Sequence, residues 1–183
     1  SAAHADPGAD LPAALLALGA TMIVTGKGGD RSLSADDFFT DVFATAMHAN
    51  EVLTRIEVAA ASNGTGSAYE KNPDPASGYA IVGIAANVTV SAGNITAARV
   101  GMTGLGPKAM RLTGVEGALV GQSATAATAD AAAGHAADGI VFVDDSRGSA
   151  AYKANLARVY TRRALARAIA MAMGQLTENR SLE

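Results

Sequence analysis

The sequence predicts an α+β fold in which an antiparallel β-sheet packs against α-helices, and three observations predict it. Leu53-Thr54-Arg55-Ile56-Glu57-Val58, parts of Tyr79 to Val90, and Ile95 to Met102 alternate apolar and polar residues with period two, the mark of strands with one buried face. The joints at Asn63-Gly64, Pro73-Asp74-Pro75 and Ala92-Gly93-Asn94 carry turn chemistry. After Pro107 the pattern switches to helices, and strands followed by helices describe an α+β sandwich.

Taken in order, Asp10 is placed to cap a helix from Leu11 to Leu18, with Pro12 in its first turn and Gly19 ending it. Thr21 to Thr25 reads as a strand, and Gly26-Lys27-Gly28-Gly29-Asp30 as a hairpin turn into a second strand near Arg31 to Leu33. That turn is no phosphate loop, because its lysine is followed by glycine and no long helix starts there. Ser34 and Asp37 form a capping arrangement for a helical turn carrying Phe38 and Phe39, and a connector runs on to Asn50. A domain boundary is expected at Met47, with the three alternating segments forming one sheet beyond it. The helices expected afterwards are Gly114 to Val120, capped by Thr113 with Glu116 at the box position, an alanine-rich stretch from Ser123 to Ala137, and a long one from Ser149 to Met173.

Composition removes several chemistries. The chain of 183 residues has 17 acidic and 14 basic side chains, a net charge of −3, and no lysine or arginine block, so nucleic acid and anionic membrane are not expected partners. The absence of cysteine removes disulfides, thiolate metal sites and a thiol nucleophile. No apolar run reaches the length of a membrane span and no secretory signal opens the chain, so a cytoplasmic location without membrane insertion is expected. The Leu182-Glu183 end reads as a vector scar, and the start without methionine as a trimmed or partial chain.

Individual residues carry little chemistry by themselves. His4-Ala5-Asp6 has no further ligands converging on it, so no metal site is expected, and no catalytic residue stands out. Asp36-Asp37 and Asp144-Asp145 precede helical segments, where acids satisfy free N–H groups. Arg158, Arg162, Arg163 and Arg167 describe a solvated helix face. Lys71, between Tyr69 and the Pro73-Asp74-Pro75 turn, is the better candidate: a cation at a strand end beside an aromatic can hold a ligand's anionic or carbonyl groups.

Five strings, in this order and spread over nearly the whole chain, add a resemblance. They are His4-Ala5-Asp6-Pro7-Gly8-Ala9-Asp10-Leu11-Pro12, Ala35-Asp36-Asp37-Phe38-Phe39, Asn50-Glu51-Val52-Leu53-Thr54-Arg55-Ile56, Gly66-Ser67-Ala68-Tyr69-Glu70-Lys71, and Asp145-Ser146-Arg147-Gly148-Ser149-Ala150-Ala151-Tyr152. Together they resemble the C-terminal part of the FAD-binding medium subunit of the molybdenum hydroxylases, the family of carbon monoxide dehydrogenase and xanthine dehydrogenase. The resemblance implies that residues 1–47 are the end of the FAD-binding domain, 48–177 the C-terminal α+β domain, and 178–183 a tail. It implies that Asp10 hydrogen-bonds the flavin, that Leu53 lies against the ring system, that Lys71 or its neighbour Glu70 reaches the isoalloxazine edge, and that Ser1 follows a Gly-Gly turn and touches FAD. The phosphate-holding glycine turns of the family would precede Ser1, which implies weak or absent FAD binding by this chain alone. The implied activity is that of an oxidoreductase subunit, passing electrons from molybdenum through 2Fe-2S clusters to FAD and an external acceptor. The molybdenum cofactor and the clusters would sit on partners, a large molybdenum-binding subunit and a small 2Fe-2S subunit. A non-catalytic assembly or binding module, lacking a complete cofactor site, is the alternative. Apolar surface left by an absent half would favour a homodimer in either case.

Overall fold

A computed structural model describes residues 1–175 of the chain. It contains two main sheets separated by one helix. That helix, α1 (Asp10–Ala17), ends at a left-handed Gly19, where the amides of Gly19 and Ala20 bond back to the carbonyls of Leu16 and Leu15. The hairpin follows as expected, with β1 (Thr21–Gly26) pairing antiparallel to β2 (Gly29–Ser34) across the Lys27-Gly28 turn. Ser34 caps α2 (Ala35–Phe38), its hydroxyl accepting from the Asp37 amide at 3.1 Å. The connector holds a further small hairpin, β3 (Phe39–Asp41) with β4 (Ala44–Thr45).

β5 (Val52–Glu57) corrects one expectation. It does not join the later strands; it pairs antiparallel with β1, giving a three-stranded sheet in the order β2-β1-β5. The first sheet therefore extends past Met47 to Glu57. The alternation of Leu53 to Val58 was a true strand signal, but period two specifies a face and not a partner. The second sheet has the order β6-β7-β8-β9, all antiparallel, from β6 (Thr65–Pro73), β7 (Ala80–Ser91), β8 (Asn94–Thr103) and β9 (Met110–Arg111).

The remaining helices are α3 (Thr113–Leu119), α4 (Ala126–Ala133) with a 3-10 turn at Gly134–Ala137, and α5 (Ala150–Ala172). Thr113 does not cap α3: Leu112 occupies the cap position, and the Glu116 carboxylate binds the Val100 amide and Arg111 instead. Ser149 does cap α5, accepting from the Tyr152 amide, and Asp144 accepts from the Ala150 amide. Asp36 takes no cap role; it receives Arg99 at 2.9 Å and Arg111 at 3.5 Å. Val82, Ile84, Val88, Val100 and Met102 of the second sheet form one core with Val115, Leu119, Leu165 and Ile169 of the helices. The tail at 178–183 lies outside the described residues.

The helix α1 is the wall between the two sheets. Its Leu15 and Leu16 join Met22, Val24 and Phe38 in the core of the first sheet, while its Ala13 and Ala17 pack on Ala85 of β7. Close approach on that side depends on Gly101 of β8, where a Cβ would collide with the Ala13 carbonyl.

Candidate functional site at the start of the central helix

Asp10 is the first residue of α1 and not its cap. Ala9 holds the cap position without any side-chain bond. The Asp10 carboxylate turns instead to β6, where the Tyr69 hydroxyl donates to Oδ1 at 2.6 Å and the Lys71 ammonium to Oδ2 at 2.7 Å. These two bonds explain the departure from the expected cap: a half-buried phenol needs an acceptor, and a charge-assisted bond is stronger than one to a neutral amide. Lys71 also donates to the Gly78 carbonyl at 3.0 Å.

Strand geometry decides which residues share this face. Tyr69 and Lys71 are two apart on β6 and point the same way, toward α1. Glu70 lies between them and points the other way, its carboxylate receiving Arg167 of α5 at 3.2 Å. Lys71, and not Glu70, therefore stands at the Asp10 site. Space for the Tyr69 ring comes from Gly83 of β7, where a Cβ would strike the phenol oxygen. Burial first, and then the Asp10 carboxylate, raise the phenol above its ordinary range, so Tyr69 stays a donor.

The pair is partly exposed to solvent. The Asp10 side chain is 45% exposed and that of Lys71 26%, and each keeps bonding capacity: two further lone-pair positions on the carboxylate and one ammonium proton. The other two expected residues lie apart from this pair, on the side of the first sheet. Leu53 of β5 pairs with Val24 and packs half-buried on the Met22 and Phe38 core. Ser1 is exposed, its carbonyl accepting from the Ala5 amide, in a turn whose Ala2 and Ala5 enter that same core.

Tyr69 is the member of the site that the sequence reading missed. Its signal was the two-residue spacing to Lys71, which places both on one strand face. The remaining motifs behave plainly: His4 packs against the Phe43 ring and Asp6 accepts from the Gly8 amide. Among the described residues no group of His, Asp and Glu is arranged to hold a metal ion. Arg163 lies over the Tyr160 ring, and Arg162 stands 3.7 Å from Asp130 on an exposed face.

Comparison with known proteins matches both parts of the chain. Residues 67–168 match the CO dehydrogenase flavoprotein C-terminal domain, and residues 1–60 the FAD binding domain in molybdopterin dehydrogenase. The carbon monoxide dehydrogenase medium chain of Hydrogenophaga pseudoflava is 35% identical over 163 residues, covering 89% of this chain and 57% of that protein. The 6-hydroxypseudooxynicotine dehydrogenase complex subunit alpha of Paenarthrobacter nicotinovorans is 31% identical, covering 92% and 57%. A solved structure of the Hydrogenophaga pseudoflava carbon monoxide dehydrogenase that lacks the Mo-pyranopterin moiety superposes with a TM-score of 0.87 at 37% identity, covering 92% of this chain and 58% of that one. The chain thus spans under two thirds of the length of these relatives. Among the described residues no helix is long and apolar enough to cross a membrane.

Proposed function

The chain belongs to the CO dehydrogenase flavoprotein C-terminal domain family, and from that membership we propose that it forms part of an FAD-containing medium subunit of a molybdenum hydroxylase. In this reading the subunit takes electrons from molybdenum through 2Fe-2S clusters and delivers them to an external acceptor. The molybdenum cofactor belongs to a large partner subunit and the clusters to a small one. FAD, when bound, supplies the electron-accepting chemistry. The two family matches, one ending at residue 60 and the other beginning at residue 67, support a division between flavin domain and C-terminal domain after β5.

The Asp10–Lys71 pair carries the proposal. The imide edge of a flavin offers one N–H donor flanked by two carbonyl acceptors, and the pair offers the complement, a carboxylate acceptor beside an ammonium donor. Tyr69 holds the carboxylate from its buried side, leaving the exposed lone pairs for the ligand. Because Lys71 balances Asp10, the site presents direction without net charge. Leu53 lies against the ring system and Ser1, following a Gly-Gly turn, touches FAD, in the roles the resemblance gives them.

Flavin titration of the full-length medium subunit, followed by fluorescence quenching, tests this. Asp10→Asn keeps the shape but weakens the acceptor, and loss of a charged hydrogen bond of about 1.5–3 kcal/mol corresponds to roughly tenfold or more in affinity. No saturable binding by the wild-type full-length subunit, or equal affinity in Asp10→Asn, overturns the reading.

A further inference from the structure

The residues just before Asp10 are bound to the second sheet at every step. The Pro7 carbonyl accepts from the Gly104 amide at 2.7 Å and the Gly8 carbonyl from the Ala80 amide at 3.0 Å. Both Pro7 and Ala9 carbonyls also face the Thr103 hydroxyl, at 2.6 and 3.0 Å. Thr103 is 1% exposed and sits at the end of β8, directly after the buried Met102. A hydroxyl buried at a strand end costs free energy unless it is bonded, and this one finds its acceptors only on the segment leading into α1.

Consecutive α-carbons lie about 3.8 Å apart on a nearly rigid peptide plane, so fixing the Ala9 carbonyl fixes where the Asp10 side chain starts. The far end of that side chain is held by Tyr69 and Lys71 from β6, two strands away from β8. From this we propose that Thr103 is a positioning residue, whose hydroxyl holds the Pro7–Ala9 backbone so that the Asp10 carboxylate meets Lys71 and presents its free lone pairs to the flavin. The flavin part rests on the function proposed above; the positioning part does not. Thr103 touches no ligand and acts through Asp10.

The test has two readouts, FAD affinity of the full-length medium subunit and the NMR resonance of the Asp10 carboxyl carbon in this chain. Thr103→Val removes the hydroxyl at nearly constant shape and is expected to displace the Asp10 resonance and to weaken FAD binding roughly tenfold, as the loss of an aligned charge-assisted bond implies. Thr103→Ser restores both. In the Asp10→Asn background, Thr103→Val is expected to have no further effect on FAD affinity, because the residue it positions no longer carries the charge. If Thr103→Val fails to fold, Thr103→Cys keeps a weaker donor of similar size and is expected to give the same displacement at smaller amplitude. An unmoved Asp10 resonance overturns the proposal, as does an equal loss of FAD affinity in the wild-type and Asp10→Asn backgrounds, which marks a general packing role. If the wild-type full-length subunit shows no saturable FAD binding while Thr103→Val still displaces the resonance, the flavin reading falls and the positioning stands.

Discussion

The second sheet has α3 and α5 against one face, with α4 packed on those two helices, and part of α1 against the other, and β7 is buried along most of its length. The first sheet has a core on one side only, and its edge strands β2 and β5 are largely exposed. Both sheets are antiparallel and both touch the same helix, so strand chemistry does not separate them. What separates them is the number of layers behind each strand, and hence the apolar area that each sheet removes from water. The Pro7–Ala9 segment leading into α1 is bonded to the deeper sheet through Thr103, Gly104 and Ala80, and Asp10 at the start of α1 through Tyr69 and Lys71, while α1 gives the shallower sheet Leu15 and Leu16. The candidate site thus lies on the firmly built side, and the first sheet is expected to open at lower free energy than the second.

Core truncations in the two regions are expected to give the largest effects and to break the comparison if it is wrong. Phe38 and Leu165 are both fully buried, one in each core. Phe38→Ala should cost about 3–5 kcal/mol and Leu165→Ala about 2–5 kcal/mol. Their distribution should differ. Amide hydrogen exchange should rise in β1, β2 and β5 for Phe38→Ala while β7 stays protected, whereas Leu165→Ala should expose both β7 and α1. Equal loss of β7 protection in both variants would show that the sheets unfold as a single unit.

Acid offers a finer probe, because the first sheet depends on one clamp. Glu51 receives Arg31 through two bonds of 2.7 Å and the His48 amide through a third, and Arg31 also reaches the Ala46 carbonyl. The Arg31 guanidinium, then the His48 amide, lower the Glu51 carboxyl from about 4.5 to about 2. A carboxylate depressed in the folded state contributes stability above its unfolded value, and that contribution is lost as pH falls from about 4.5 toward about 2. Glu51→Gln should therefore be less stable than wild type at neutral pH, with the gap narrowing through that window. Exchange of the β1 and β5 amides at pH 5 and pH 3 measures it, and a gap that does not narrow removes Glu51 as the acid-sensitive group.

Much of the local structure was legible because its causes are local. The β1–β2 hairpin follows from glycines between two alternating runs, and Ser34 and Ser149 cap helices that begin right after them. The partner of β5 was not legible, since the β1 strand that it joins lies across α2 and the small hairpin in the chain. Asp10 shows how the two levels compete. Its place ahead of an apolar helix is a sound capping signal, yet Lys71, 61 positions away, and Tyr69 draw the carboxylate off its own backbone. Lys71 stands out in the sequence as a cation beside an aromatic, the flavin-facing role of Asp10 came from a resemblance of whole strings, and the strand alternation of Tyr69, Glu70 and Lys71 shows which of them face α1 together.

The smallest expected effect separates two helix starts that look alike in sequence. Ser149 precedes α5 and Thr113 opens α3, and both have the residue type of a cap. A cap must be extended, with its side-chain oxygen turned back over the first amides. Ser149 has φ −72° and ψ 158° and accepts from the Tyr152 amide at 3.2 Å, so it meets the requirement. Thr113 is already helical, because the Glu116 carboxylate that would complete a capping box is committed to Val100 and Arg111 and draws the start of α3 back to Leu112. Ser149→Ala should then cost about 1 kcal/mol, while Thr113→Ala, at an exposed position without a bond to lose, should stay within about 0.5 kcal/mol. Urea unfolding of the two variants at equal m-value compares them directly. If Thr113→Ala costs as much as Ser149→Ala, the α3 start in solution is the capped one that the sequence predicts, and Glu116 is free of Val100.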